Sequence, residues 1–415
     1  MDKEKVINLI LNDKYYTIDD LRYNRKIGLL FSNKDFENYL KIKDDLVLNG
    51  FDYICKLPLK TFNSKNCFYV KSSYLINNLV EYKRILLSDF ELNQSYLYDR
   101  NIEDIMYSRL FSELEGSLNI ESVNTTYSHI LKISKSDNLT EQNDIIIKNM
   151  INAIMYIVKE KPVFNKENLR TLYNKLTDRC LSSDVNLKKG DYYRDGKVFV
   201  GEYEGADYSE IDSCMNSLFE FANDKQNIYK YGELLPYICH YYILYIHPYY
   251  DYNGRTARMV SFWLNYINNI IAAPYFMSEA INENKSRYYK AIVETRNTNN
   301  DLTCFLGYII ETAIEYCYVY KNMEEMEKML LLNGDSLNTN DWNYVKKILV
   351  HSPEEYFSYK MFLSFINNSI SRQAAFKILN NLCNYNILEK STNKKGDTIF
   401  KLNQNLITYK YHKWW

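Results

Sequence analysis

His247-Pro248-Tyr249-Tyr250-Asp251-Tyr252-Asn253-Gly254-Arg255-Thr256-Ala257-Arg258 is the stretch around which the chain is organised. An apolar, aromatic segment of helical length, Leu234 to Ile246, precedes it, and a second, Met259 to Ile271, follows. Pro248 discourages the first helix from continuing. Asn253 reads as the N-cap of the second helix, and Gly254 lets the backbone approach a ligand. Arg255 and Arg258 share one face of its first turn. The opening amides of a helix lack partners and carry partial positive charge. A phosphate chain laid across Asn253, Gly254 and Arg255 would therefore meet backbone donors and two guanidiniums. Asp251, just outside, is placed to hold a divalent cation bridging phosphates. His247, at the loop entrance, would take a proton from an incoming hydroxyl as a neutral imidazole. Each residue also has a plainer reading as cap, packing or surface charge. Their joint spacing points instead to nucleotide-dependent group transfer.

The rest of the composition bounds the class. The chain has 415 residues, 46% hydrophobic, with a net charge of −1, 12 glycines and 6 prolines. Length implies two or three domains, and long apolar patterns with few breakers imply a mostly α fold. Near-neutrality gives no sign of a globally nucleic-acid-binding or membrane-surface protein. Eight scattered cysteines without a Cys-x-x-Cys pair read as thiols of a reducing compartment. No signal-peptide pattern opens the chain and no apolar run is long enough to span a bilayer, so a soluble, cytoplasmic protein is expected. The 41 tyrosines reflect a chain-wide bias, so a single tyrosine carries little functional weight.

The central stretch resembles the signature of the Fic family, His-Pro-Phe-x-x-Gly-Asn-Gly-Arg-x-x-Arg. His247, Pro248, Asn253, Gly254, Arg255 and Arg258 match it, and Asp251 is the acidic residue usual there. Tyr249 replaces the phenylalanine and Tyr252 replaces a small residue, usually glycine. The resemblance is specific in this motif and readable over roughly residues 100–320. It implies a helical core with a buried central helix, and a protein adenylyltransferase that moves AMP from ATP, with Mg²⁺, to a Tyr, Ser or Thr hydroxyl of a protein. His247 would be the base and Asp251 the metal ligand. Asn253, Gly254 and Arg255 would bind the α- and β-phosphates, and Arg258 the γ-phosphate. Relatives use other nucleotide donors or remove AMP, so donor and direction stay open. The protein target is not named by the sequence, and self-modification and a homodimer also stay open.

Three other regions take meaning from the same resemblance. A helix read from Asn101 to about Ile120 ends in Ser117-Leu-Asn-Ile-Glu121-Ser122. This resembles the Fic inhibitory helix, Ser/Thr-x-x-x-Glu-Gly/Asn, whose glutamate pairs with the second motif arginine, here Arg258. Ser122 stands where glycine or asparagine is usual, and Glu115-Gly116 is the weaker alternative because Phe111 precedes it at the motif spacing. Residues 190–203 break the helical pattern; an Asp195-Gly196 turn beside Val198-Phe199-Val200 reads as a hairpin. In the family a hairpin there, the flap, docks the target segment by strand addition. A helix opened by Ser278 carries Tyr288 and Tyr289, which the resemblance places at the nucleotide base. His240 is read as a packed histidine.

The chain then divides into residues 1–95, packing on the core; a core over 96–332; and a small domain over 341–415. In the last, one helix from Ser352 to Phe365, another capped by Ser371, and a two-stranded wing around Asn393 to Asp397 resemble a winged helix. Arg372, Lys377, Lys394 and Lys395 would reach phosphates. DNA binding is not favoured, because the whole chain is near neutral. The rival to the enzyme is a non-enzymatic, nucleotide-sensing winged-helix regulator with Tyr252 closing the loop.

Overall fold

The structure is a computed structural model and describes residues 2–96, 102–268, 277–366 and 368–409. It divides into two compact units, Met1–Thr312 and Ala313–Trp415, with the boundary inside a long helix. The expected helix start at Asn101 and apolar end at Ile271 lie outside the described residues.

The first unit opens with α1 (Lys3–Ile10), α2 (Ile18–Tyr23) and α3 (Asn33–Leu48), followed by the antiparallel hairpin β1 (Ile54–Lys60) and β2 (Asn66–Val70). Thr17 and Ser32 close capping boxes on α2 and α3, each joining its side chain and backbone to an aspartate three residues on. Lys43 of α3, fully buried, pairs with Asp301 at 2.5 Å. Asp301 also accepts from the Thr303 amide at 3.1 Å, so this buried pair locks the N-terminal helices to the core. Then come α4 (Ser73–Tyr96), α5 (Ile102–Ile120), α6 (Tyr127–Ser134), α7 (Gln142–Glu160) and α8 (Lys166–Thr177). Asn165 caps α8 by accepting from the Asn168 amide at 2.8 Å.

The two-residue strands β3 (Phe199–Val200) and β4 (Tyr203–Glu204) form the expected hairpin, but it turns at Gly201, where φ is +61°, and not at Asp195-Gly196. Helices α9 (Ile211–Asn223), α10 (Lys225–Tyr231), α11 (Leu235–Ile246) and α12 (Asn253–Ile267) follow. Helix α11 has no Asp, Glu, Lys or Arg, and all twelve of its residues are buried. A helix apolar all round can only sit inside. The one helix expected from Ser278 is two, α13 (Met277–Glu283) and α14 (Lys285–Asn297), because Asn284 leaves the helical region (φ −142°, ψ 53°). Helix α15 (Thr303–Leu332) crosses the unit boundary.

The second unit has its own core, including Met326, Leu330, Ile348, Phe357, Phe362, Leu379 and Phe400. Its elements are α16 (Thr339–His351), β5 (Phe357–Ser358), α17 (Tyr359–Phe365), α18 (Arg372–Asn384), β6 (Leu388–Thr392) and β7 (Thr398–Leu402), with antiparallel strand order β5-β7-β6. The expected helix from Ser352 is corrected. Ser352 ends α16, and the following helix starts only at Tyr359, capped by Ser358. Pro353 biases Ser352 away from helical geometry, so it serves here as a stop and not as a first-turn residue.

Candidate functional site

The site is built on the joint between α11 and α12. Helix α11 closes at His247, whose backbone is left-handed (φ 56°, ψ 61°) and whose amide bonds the Ile243 carbonyl at 2.8 Å. Tyr249 then turns inward and stacks on Tyr173, with ring centroids 3.7 Å apart. The Asn253 side chain clasps Tyr249 on both sides, accepting from its amide at 3.0 Å and donating to its carbonyl at 2.8 Å. Asn253 is therefore the first residue of α12, not its N-cap, and its amide group shapes the loop. The N-cap is Tyr252, at φ 65° and ψ 10°. That left-handed backbone explains the usual preference for a small residue at this position, since only glycine adopts it without cost.

The pole of α12 is an anion cradle. The first amide bonded along the helix axis is that of Thr256, to the Tyr252 carbonyl at 2.9 Å. The amides ahead of it are the ones a helix leaves open. Arg255 is 8% exposed, and its Nε and Nη1 are buried without a hydrogen-bond partner. Its guanidinium lies 3.4 Å from the Tyr252 ring centroid. A buried cation with two unused donors, held flat by an aromatic face, beside open amides, fits a phosphate oxygen.

Something already reaches into that cradle. Arg258 is 2% exposed. Its Nε donates to Ser117 Oγ at 3.0 Å, and its Nη2 to Glu121 Oε1 at 2.7 Å and to the Ser117 carbonyl at 3.3 Å. Glu121 Oε1 also stands 2.7 Å from where a Cβ on Gly254 would be. Burial pushes the Glu121 carboxyl up, but Arg258 more than compensates and holds it below its usual value. The turn needs a left-handed residue at Ser122 (φ 62°), the position where the family pattern has glycine or asparagine. Glu115-Gly116 serves otherwise, because a Cβ on Gly116 would lie 2.2–2.4 Å from the Ser278–Glu279 backbone. Glu113 on the same helix accepts from the Ser278 amide at 2.7 Å, and burial pushes it up to about 7.

His247 faces the other side. Burial lowers its imidazole to about 4, so it is neutral at physiological pH. Arg194, buried, donates from Nε to the His247 carbonyl at 2.9 Å and from Nη2 to the Ala206 carbonyl at 2.5 Å. Its own amide bonds the Pro248 carbonyl at 3.1 Å. Gly205 passes so close that a Cβ would meet the His247 Cβ at 3.0 Å. Arg194 thus staples the hairpin segment to the histidine loop. Nothing in the sequence marked it, since it sits alone outside any periodic pattern. Phe199 and Val200 of the hairpin are exposed.

Asp251 is exposed, and one of its carboxylate oxygens accepts from the Tyr252 amide at 2.6 Å. Among the described residues no three His, Cys, Asp or Glu side chains converge as a metal cage. One accessible carboxylate beside a phosphate cradle fits Mg²⁺ held jointly with substrate oxygens. Tyr288 is 1% exposed, with its hydroxyl 2.8 Å from His240 Nε2, so it offers no face to a base. Tyr289 is half exposed and keeps that role open. His240 is packed as expected, its other nitrogen 3.3 Å from Ser261 Oγ and its imidazole lowered by burial to about 3.

Residues 163–264 match the model of the Fic/DOC family. The chain is 28% identical over 123 residues to the protein adenylyltransferase Fic of Aedes aegypti, an alignment covering 29% of this chain and 24% of that protein. The chain thus matches about a quarter of the length of that curated relative. Among solved structures, a Fic family protein from Desulfovibrio desulfuricans G20 superposes with a TM-score of 0.49 at 14% identity, covering 79% of this chain and 95% of that one. Fic-1 from C. elegans gives 0.45 at 13% identity, covering 77% and 90%. A Fic domain containing signaling protein from Bacteroides thetaiotaomicron gives 0.42 at 18%, covering 64% and 99%.

Proposed function

Residues 163–264 match the Fic/DOC family, and on that premise we propose that the chain is a Fic protein that transfers AMP from ATP to a Tyr, Ser or Thr hydroxyl of a protein. The observation that carries this reading is Arg255, a buried guanidinium with two unused donors at the open pole of α12, on the same loop-helix joint as the partly buried, neutral His247. His247 takes the proton of the acceptor hydroxyl as its oxygen bonds to the α-phosphorus. The bond from that phosphorus to the bridging oxygen breaks, and pyrophosphate leaves. The α12 amides, Gly254 and Arg255 hold the α- and β-phosphates; Arg258 takes the γ-phosphate. Asp251 would hold Mg²⁺, which supplies charge neutralisation of the phosphates. The exposed strand edge at Phe199–Val200 presents main-chain groups to an extended acceptor peptide.

The same geometry supports autoinhibition. While Glu121 occupies Arg258 and the space over Gly254, the γ-phosphate cannot take the Arg258 guanidinium. The test is intact mass after incubation with ATP and Mg²⁺ for wild type, Glu121→Gly and His247→Ala, alone and in a cell lysate. One AMP gained on the chain or on a lysate protein, strongest for Glu121→Gly and absent for His247→Ala and with EDTA, is the expected result. Labelling only with another nucleotide would reassign the donor. Equal labelling of His247→Ala would remove the proposed base.

A further inference from the structure

The second unit takes no part in the transfer chemistry just described, and its surface has a character of its own. Helices α17 and α18 form a helix-turn-helix, and β6 and β7 continue into a hairpin closed at residues 393–397. We propose that this unit is a winged-helix module that binds double-stranded DNA, with α18 in the major groove and the hairpin turn on the phosphate backbone.

The faces of α18 carry the argument. Ala375, Leu379 and Leu382 are buried in the unit's core. The opposite arc presents Gln373, Lys377 and Asn384 to solvent, Arg372 is exposed at the start of the helix, and no Asp or Glu occurs between Arg372 and Asn384. Cations and amides are the side chains that read base edges, Arg on guanine and Asn or Gln on adenine. Arg372 lies in the first turn, the end of a recognition helix that enters the groove, and its guanidinium rests 4.9 Å from the Tyr359 ring of the preceding helix. That stacking fixes its direction before any ligand arrives.

The hairpin turn supplies backbone contacts. Lys394 and Lys395 are exposed at its tip. The acidic residue beside them is used internally: the Asp397 amide donates to Asn393 Oδ1 at 2.9 Å, and its carboxylate accepts from Asn393 Nδ2 at 3.1 Å. Glu389 stands opposite Lys401 in the strand register. Lys390 of β6 reaches Asn380 of α18 at 3.0 Å, tying hairpin and helix into one surface.

Charge decides the class of partner. Near-neutrality of the whole chain argued against DNA, but that is an average. The second unit, residues 313–415, carries thirteen Lys and Arg against ten Asp and Glu, a net of +3, and within it residues 341–415 carry eleven against five, a net of +6, in a chain whose total is −1. A segment this basic, with Arg372 and Lys377 exposed on α18 and Lys394 and Lys395 exposed at one turn, matches a polyanion.

The experiment titrates the full-length protein into a labelled random-sequence DNA duplex and follows fluorescence anisotropy at several KCl concentrations. Binding in the range of roughly 10⁻⁴–10⁻⁶ M is expected near physiological salt, with log K falling against log salt at a slope of about −4 for four phosphate contacts. Two double variants, Arg372→Glu with Lys377→Glu and Lys394→Glu with Lys395→Glu, should each weaken binding at least about tenfold and cut the slope by about 2. All these side chains are exposed, and an unchanged thermal melt confirms that the variants are folded. The proposal fails if the wild type ignores the duplex at low salt, if the variants bind it as well as wild type does, or if single strands bind more tightly. Indifference to DNA would mark the face as a protein-docking surface. The result stands apart from the transferase reading, because it is measured without nucleotide.

Discussion

Two helix ends meet over Gly254, and they are built differently. The N-terminal end of α12 is fixed from all sides: Asn253 clasps Tyr249, Tyr249 stacks on Tyr173, and Arg194 holds the His247 carbonyl. The C-terminal end of α5 reaches the same spot from a helix that is itself packed in the core, with Leu114, Leu118 and Ile120 buried. Ser117 and Glu121 bond Arg258, and Asn119 holds the Thr125 amide at 3.0 Å. Behind them, the backbone of α5 at Gly116 lies tightly against that of α13. The contrast separates chemistry from control. Groups that must be placed to within fractions of an ångström sit on a rigid joint. The group proposed to block them, Glu121, sits just past the end of a different helix and touches the joint through Arg258.

The largest effect should come from breaking the rigid side. His247→Ala in a Glu121→Gly background should lower AMP incorporation by about 10²–10⁴-fold with the melting temperature nearly unchanged. The pH profile sharpens this. Because burial holds His247 at about 4, the acidic limb of the rate should appear near pH 4 and not at the ordinary histidine value of about 6.5. The stability sign follows from the same depression. Between about 6.5 and the lowered values of His247 and His240, the unfolded chain binds protons that the folded one does not. Their contribution is complete above about pH 6.5 and is lost as pH falls through that window, so acid melts should show a declining midpoint there. A rate limb at 6.5 would mean that His247 is solvated in the working enzyme.

Breaking the control side should act in the opposite direction. A charge-assisted hydrogen bond is worth about 1.5–3 kcal/mol, so Glu121→Gly should raise the rate by roughly 10–100-fold. With Arg258→Ala already present, the same substitution should give no gain, because the inhibition runs through that guanidinium. Additive effects in the initial-rate cycle would place Glu121's action elsewhere.

Legibility in the sequence followed the same divide. The α11–α12 joint was readable because its constraints are local: an uncharged apolar run, Pro248, Gly254, and two arginines on one turn. Ser117 and Glu121 were readable through spacing on one helix end. What escaped depends on contacts between distant segments. Arg194 sits in an aperiodic loop and gains its meaning only from the His247 and Ala206 carbonyls. The buried Lys43–Asp301 pair joins residues 258 positions apart. Asn253 looked like a cap because cap chemistry suits it, but here its side chain is used on the Tyr249 backbone. The break at Asn284 and the stop at Ser352 are single-residue backbone events that apolar periodicity cannot register.

A smaller effect tests how α5 is carried. Gly116→Ala would drive a methyl group into the backbone of Ser278 and Glu279. Backbone cannot yield as a side chain does, so a loss of about 1–3 kcal/mol is expected, read as a lower denaturation midpoint. The same shift moves Ser117 and Glu121 away from Arg258, so the variant should be less stable and more active together. Loss of stability with unchanged inhibition would show that the Glu121–Arg258 pair holds independently of α13.

The smallest effect concerns Tyr252, where the chain departs from the family pattern inside the rigid joint. Its left-handed backbone costs about 1 kcal/mol relative to glycine, and its ring returns a comparable amount by stacking on Arg255 at 3.4 Å. Its hydroxyl also lies beside the Cys180 thiol. Tyr252→Gly should therefore change stability little. Without the ring, however, Arg255 loses the surface that orients it, and KM for ATP should rise severalfold while kcat changes less. Tyr252→Phe keeps the stack, loses only the Cys180 contact, and should restore KM. If Phe behaves as Gly does, the hydroxyl rather than the ring positions Arg255. If neither variant moves KM, the orientation of Arg255 is set by the helix alone, and the rigid joint tolerates its tyrosine without using it.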